Sequence, residues 1–439
     1  MDKLLLEWNK SGSPGGSFAV IKDGKVLYKG GFGYGNLDYD YPNAPNTVFY
    51  LASVSKQFTA MSMALLEEQG RISLDDDIRK YFPEIPDYGY RVTIRNLIHH
   101  TSGLRDYLNL WVLKGRSYAD VFDEQEIINL IARQKALNFK PGDQYMYSNS
   151  GYFLMAVLVK RVTGMSLRDY TNQYFFQPLE MNNTHFNDNR NMIIKNRAES
   201  YVKNDSVLER VHSSFDLVGS GGLYSNIDDL ILWDKNYYSN KIGSGEKLME
   251  TIRAKGILNN GDTLDYAFGL VHGEYKGLKT IGHSGGYLGF RTHMLRFPEQ
   301  RFSVIILANL FSMKPSDLAR KISDVYLADI LVDSGPKANE EELSSGELDE
   351  TDFNMDRQQI SKFSGTFFSS ELETSYYFYM KNDSLTCQTR YLDPVTLKPT
   401  GPFTFKKDKW ITLEFDKNYK KFTLNTGRVK NIKFKRTNN

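Results

Sequence analysis

The chain has 439 residues, 41% hydrophobic and 25% charged, the make-up of a folded protein of roughly two or three domains rather than a disordered one. A formal net charge of +2, from 55 basic and 53 acidic side chains, leaves no electrostatic footprint for nucleic acid or an anionic membrane, and no apolar run approaches the ~18 residues of a membrane span. The single cysteine, Cys387, excludes an internal disulfide and a cysteine-based zinc site.

At the amino end, "MDKLLLEWNKSG" lacks a long apolar core followed by a small-residue cleavage site, so no signal peptide is expected. The next segment, "SFAVIKDGKVLYKGGFGYG", holds two β-rich runs around Asp23-Gly24, which predicts a hairpin with a left-handed tip and the start of an antiparallel sheet. Its "GFGYG" lacks the further glycine and the following helix of a nucleotide-binding loop and predicts close strand packing. In "YLASVSKQFTAMSMALLEEQG", apolar residues Phe58, Met61, Ala64 and Leu65 recur at helical spacing over Val54 to Gln69, and Gly70 fits the stop. Ser53 is there either as the N-cap of a core helix or as a nucleophile. Lys56 stands three residues on, a spacing that puts hydroxyl and amine on one helical face, and a lysine of lowered pKa can take a serine proton.

From Lys56 to about Asn240 the pattern is mostly helical, with "QEIINLIARQKA" and "GYFLMAVLVKRVTG" separated by polar loops. Within it, His99 and His100 of "LIHHTSGL" read as structural, because adjacent histidines cannot face one metal from regular structure. Tyr147-Ser148-Asn149 stand just ahead of an apolar helix, where Ser148 or Asn149 would cap it or the polar trio would face a substrate. Strand composition returns in "YAFGLVHGEYKGLKTIGHSGG" and "FRTHMLRFPEQRFSVIILAN", with a turn at Pro298-Glu299-Gln300, before a helix over about Pro315 to Val332. The run Gly282-His283-Ser284-Gly285-Gly286 also fits a G-x-S-x-G elbow with Ser284 as nucleophile. Only His293 follows it at short range, with no acid between them and no alternating strand and helix series around them. The acidic "DSGPKANEEELSSGELDETD" predicts a linker, and the short alternating runs beyond it predict a small β-barrel.

Ser53-Val54-Ser55-Lys56, Tyr147-Ser148-Asn149 and His283-Ser284-Gly285 follow one another in the order and approximate spacing of the serine β-lactamase and penicillin-binding-protein superfamily, and the chain resembles its class C-like branch. "HHTSGL", "GSGGLYSNIDDLILW" and "FPEQRFSVIILAN" carry the likeness over roughly Leu4 to Asp333, and the tail from about Phe363 resembles a lipocalin-like domain. The resemblance implies an α+β fold: a mixed domain over 1–333, with an antiparallel sheet flanked by helices plus a helical region, an acidic linker over 334–358, and a lipocalin-like antiparallel β-barrel over 359–439. It implies a serine hydrolase that cleaves an ester, amide or peptide bond through a Ser53 acyl-enzyme, with no metal or organic cofactor. Lys56 and Tyr147 share the proton work, either one being the base. Asn149, His283, Ser284, Gly285 and Gly286 bind substrate, and the N–H groups of Ser53 and Gly286 form the oxyanion hole. The expected partner is a small-molecule or peptide substrate. A periplasmic or secreted location is implied where a leader was removed, and a cytoplasmic one otherwise.

At His283 the class C β-lactamases carry lysine. A histidine, mostly neutral at its reference pKa of about 6.5, is a weaker holder of a substrate carboxylate, and such a ligand is expected to bind less well as pH rises through that value. Arg291 is either a replacement cation or an exposed strand arginine. The alternatives are a β-lactamase or DD-peptidase acting on penicillins or peptidoglycan stem peptides and, in another class, a non-catalytic module that binds peptidoglycan or protein.

Overall fold

A two-residue turn at Asp23-Gly24 starts the sheet: both residues have positive φ, 51° and 73°, the backbone twist that matches a right-handed strand pair. It joins β1 (Gly16–Lys22) to β2 (Lys25–Phe32), with Lys22 opposite Lys25. The computed structural model describes residues 2–5, 9–205, 207–332 and 353–437, so the expected linker lies outside the described residues as far as 352. The chain folds as two compact units. One is Met1–Tyr81, Thr93–His99 and Gly151–Gly335; the other is Phe82–Val92, His100–Ser150 and Pro336–Asn439. Helices α1 (Lys56–Glu68), α2 (Tyr107–Leu113), α3 (Asn149–Thr163), α4 (Ile227–Tyr238) and α5 (Pro315–Tyr326) follow in chain order.

In the first unit, β3 (Val271–Tyr275), β4 (Leu278–Tyr287), β5 (Phe290–Phe297) and β6 (Phe302–Ala308) complete a six-stranded antiparallel sheet in the order β3-β4-β5-β6-β1-β2. Strands distant in sequence therefore lie side by side. Every residue of the central β6 is buried, which explains its unbroken "FSVIILA". On one face Val304, Ile306 and Ala308 pack with Leu318, Ala319 and Ile322 of α5 in a single apolar cluster. Helix α4 is tied to β5 by Arg296, whose Nε donates to Asp234 Oδ1 at 2.7 Å with both side chains buried. The turn expected at Pro298-Gln300 joins β5 to β6. The "GFGYG" glycines do mark close packing: a Cβ on Gly31 would lie 1.9 Å from the Asn43 carbonyl oxygen. Helix α5 ends at Tyr326, short of the expected Val332, because the chain turns away so that the Val332 N–H can bond the Lys276 carbonyl at 3.0 Å.

In the second unit, β7 (Gly365–Ser369), β8 (Thr374–Lys381), β9 (Ser384–Gln388), β10 (Val395–Gly401), β11 (Thr404–Lys406), β12 (Thr412–Phe415), β13 (Lys421–Thr426) and β14 (Val429–Arg436) form a closed antiparallel barrel. Aromatic rings fill it, with Phe422 stacked on Phe434 at 4.3 Å and Phe363 edge-on to Phe405 at 4.8 Å. Cys387 is buried here, its thiol pushed up to about 12 by burial, which makes it inert as a nucleophile. The barrel packs with residues 100–150 of its own unit through a buried ion pair: Arg105 Nη1 donates to Glu371 Oε1 at 2.6 Å and to Gln134 Oε1 at 2.9 Å. Glu371 also accepts from the Lys135 N–H at 2.9 Å, and the Tyr376 hydroxyl donates to the Leu113 carbonyl at 2.9 Å.

A buried pair punishes the loss of one partner more than the loss of both. Glu371→Ala is therefore expected to destabilise the protein by about 3 kcal/mol or more, while Arg105→Met combined with Glu371→Met recovers most of that loss; thermal melting of the three proteins checks it.

Candidate active site

Ser53 sits in a 3₁₀ turn, Ala52–Ser55, that runs into α1, so the helix predicted from Val54 is present, with its true α portion starting at Lys56. The residue before it, Ala52, has φ of +49°, a conformation costly for a residue with a Cβ and held here by the packing around it. Lys56 Nζ lies 3.1 Å from Ser53 Oγ and donates to the Ser220 carbonyl at 2.6 Å, with the lysine side chain wholly buried. The Tyr152 ring of α3 lies 5.4 Å from the same nitrogen. The Ser220 carbonyl belongs to the "GSGG" loop, held against α1 by Thr59, whose hydroxyl donates to the Gly219 carbonyl at 2.8 Å. Nothing in the sequence pattern marked this carbonyl, because a backbone acceptor carries no residue signature.

Strand β4 runs past Ser53. A Cβ on Gly285 would fall 2.3 Å from both the Leu51 carbonyl oxygen and Thr292 Oγ1 and 3.1 Å from the Ser53 nitrogen, so the glycine is required by proximity. Thr292 Oγ1 donates to the Leu51 carbonyl at 2.8 Å and fixes the chain just ahead of Ser53. His283 is buried, with Nδ1 2.6 Å from the Ser284 carbonyl and Nε2 3.2 Å from the Tyr266 hydroxyl. Burial first, and the neighbouring Lys56 charge second, pull its pKa down to about 4. The expected weakening of carboxylate binding near the ordinary histidine pKa therefore moves well below neutrality: at pH 7 His283 is a neutral hydrogen-bonding group. Gly286 is exposed beside Arg291, whose Nη1 donates to the Leu288 and Phe290 carbonyls while the guanidinium stacks 4.1 Å from the Phe311 ring. Arg291 is thus half-buried and committed to its own strand, neither a fully exposed arginine nor a free cation.

Ser284 alternates to the other side of β4. It is exposed, and its Oγ lies 2.8 Å from Nδ1 of His293, its cross-strand neighbour on β5. The serine stands mid-strand in an antiparallel pair, without the strand-turn-helix bend of an elbow, and burial with the charge of Arg320 holds His293 down at about 3, which makes it a feeble base.

The second unit holds Tyr147 and Asn149. His100, with φ of +58°, lies with its ring 4.2 Å from that of Tyr147 and accepts the Ser148 N–H on Nδ1 at 3.1 Å. The neighbouring His99 belongs to the first unit, edge-on to Phe268 at 5.3 Å, so the "HH" pair is structural in two different ways. Asn149 opens α3, and its N–H and Nδ2 both donate to Asp106 Oδ2, at 2.7 and 2.8 Å. Oδ1 of the same buried carboxylate accepts from the Leu108 and Asn109 N–H groups at the start of α2. Asp106 therefore caps two helices at once and orients the Asn149 amide, a role that its sequence neighbours did not announce.

Residues 4–327 match the beta-lactamase family. The chain belongs to that family. As a member it is a serine hydrolase, and the sheet, helices and closed barrel give the α+β class expected. Among similar proteins, penicillin-binding protein 4* of Bacillus subtilis is 33% identical over 313 residues, 67% of this chain and 68% of that protein. A D-aminopeptidase of Brucella anthropi is 29% identical over 321 residues, and the match covers 72% of this chain but only 59% of the peptidase. The octameric penicillin-binding protein homologue from Pyrococcus abyssi shares the fold over 98% of this chain and 97% of its own, at 24% identity and a TM-score of 0.67. Among the described residues, no helix is long and apolar enough to cross a membrane.

Two outcomes follow for this family member. Gly285→Ala forces the strand off Leu51 and Ser53 and is expected to lower kcat by about 100-fold or more on an activated ester, with circular dichroism showing whether the fold persists. A histidine titrates near 6.5 when unfolded, and folded His283 at about 4, so between those values only the unfolded chain binds the proton. The stability this histidine contributes is complete above about pH 6.5 and is lost as pH falls toward 4, by at most about 1.4 kcal/mol per pH unit. The melting temperature should drop across that window, and less steeply in His283→Asn; His99 and His185, each also held at about 4 by burial, add to the same slope.

Proposed function

We propose that this chain cleaves an amide or peptide bond next to a D-amino acid through a Ser53 acyl-enzyme. The observation that carries the reading is the buried amine of Lys56, 3.1 Å from Ser53 Oγ and anchored on the Ser220 carbonyl; the D-aminopeptidase relatives support the substrate class. In this reading the Ser53 hydroxyl attacks the substrate carbonyl and its proton passes to Lys56 or to Tyr147, either one being the base. The carbonyl oxygen gathers charge between the Ser53 and Gly286 N–H groups, and collapse of the adduct expels the amine with that proton. Water then repeats the sequence on the ester and frees the acid. Asn149 holds the substrate amide, and His283, neutral at pH 7, offers a hydrogen bond where a lysine would offer a charge. The second reading, a DD-peptidase or β-lactamase, is favoured by the penicillin-binding relative and opposed by that neutral histidine, since such substrates bring a carboxylate. We further propose the acidic stretch 334–358 as the linker between a hydrolase domain and the barrel domain.

D- and L-aminoacyl p-nitroanilides, p-nitrophenyl esters and nitrocefin separate the readings. The wild type is expected to prefer the D-anilide to its L-form and to nitrocefin, Ser53→Ala to lose about 10⁴-fold or more in kcat, and Ser284→Ala to keep most activity. Full activity in Ser53→Ala with loss in Ser284→Ala would overturn the nucleophile assignment. A folded protein that a fluorescent phosphonate leaves unlabelled, as read by intact mass, would favour the non-catalytic module.

A further inference from the structure

We propose that Arg428, carried by the barrel, is a positioning residue for Tyr147: its guanidinium holds the ring in place and favours the phenolate. The inference rests on the proposed function for what Tyr147 does and on the second unit's own geometry for why Arg428 matters. Arg428 stands at the turn between β13 and β14, with its guanidinium carbon 4.6 Å from the centre of the Tyr147 ring. Three backbone contacts fix that turn on the segment that carries the tyrosine. The Arg428 carbonyl accepts from Asn138 Nδ2 at 3.0 Å and from the Asp106 N–H at 3.3 Å, and the Lys430 N–H donates to Asn138 Oδ1 at 2.8 Å. Arg105 Nη2 reaches the Asn431 carbonyl at 3.1 Å and joins the turn to the buried ion pair.

The side chain itself is half-buried and, among the described residues, has no hydrogen-bond or ion-pair partner, so what this docking delivers is a guanidinium laid on a tyrosine. A guanidinium stays charged at any working pH, and a nearby cation stabilises a phenolate over a phenol. The groups around the ring define the balance. His100, 4.2 Å away, accepts a hydrogen bond on Nδ1 and is therefore neutral; Tyr145 lies beyond it, 5.9 Å from the His100 ring, and the Asp106 carboxylate is spent on Asn149 and α2. Of His100 and Arg428, only the arginine brings charge.

The test places a single 3-fluorotyrosine at position 147 and follows its ¹⁹F resonance with pH in the wild type, Arg428→Met and Arg428→Lys. The contacts that dock the turn are made by backbone, so the variants should keep their melting temperatures. Arg428→Met is expected to raise the titration midpoint by about one unit or more, with Arg428→Lys recovering part of the shift. In parallel, the acid limb of kcat/KM should move to higher pH in Arg428→Met, because a base that is harder to deprotonate stays blocked further up the scale. The loss should be equal for a D-aminoacyl anilide with and without a free carboxylate. An unmoved midpoint overturns the proposal, and if the loss is then confined to the carboxylate substrate, Arg428 is an anion reader instead. The resonance reports on Tyr147 whether or not any substrate turns over, so failure of the proposed function would not be mistaken for failure of this inference.

Discussion

A lysine amine with no access to water must be given partners by the fold, and those of Lys56 include the Ser53 hydroxyl one helical turn back, the Ser220 carbonyl and the face of the Tyr152 ring. Much of the first unit can be understood as the means of holding those partners. Helix α1 sets the hydroxyl and amine on one face, Thr59 grips the glycine-rich loop that brings the carbonyl, and β4 crosses close enough that only glycine fits at position 285. Burial first, and the same Lys56 charge second, depress the His283 pKa, so the strand facing Ser53 carries a neutral group at pH 7.

What could be read in the sequence was what local patterns encode. The Asp23-Gly24 hairpin, the helix after Ser53, the turn at Pro298-Gln300 and the alternation of the barrel strands all arise from backbone preferences and periodicities a few residues long, and all are present. The serine-lysine pair was visible for the same reason, since three residues of helix bring the two together. Helix α5 was overextended because its stop is a long-range hydrogen bond from Val332 to Lys276, and no proline or glycine announces it.

The hidden parts of the site act by backbone, by burial or across great lengths of chain. Ser220 contributes a carbonyl, so its side chain is no clue. Asp106 resembles any helix cap until the same carboxylate is seen holding Asn149, 43 positions away in sequence. The charge state of His283 depends on enclosure, which a reference pKa does not contain. Ser284 and His293 show the converse. Their 2.8 Å contact is good geometry for a dyad, yet it arises because they are cross-strand neighbours, and the mid-strand setting removes the chemistry.

The ion pair between Arg105 and Glu371 has a consequence for how the protein is made. Its two halves are 266 positions apart, and the segment that carries Tyr147 leaves the ribosome long before the barrel exists. At elongation speeds of about 5–20 residues per second, that arginine waits on the order of tens of seconds without the carboxylate that neutralises it. Residues 82–92 and 100–150 therefore cannot reach their final state during their own synthesis, and the barrel strands act as a delayed clasp that completes a segment laid down well before them.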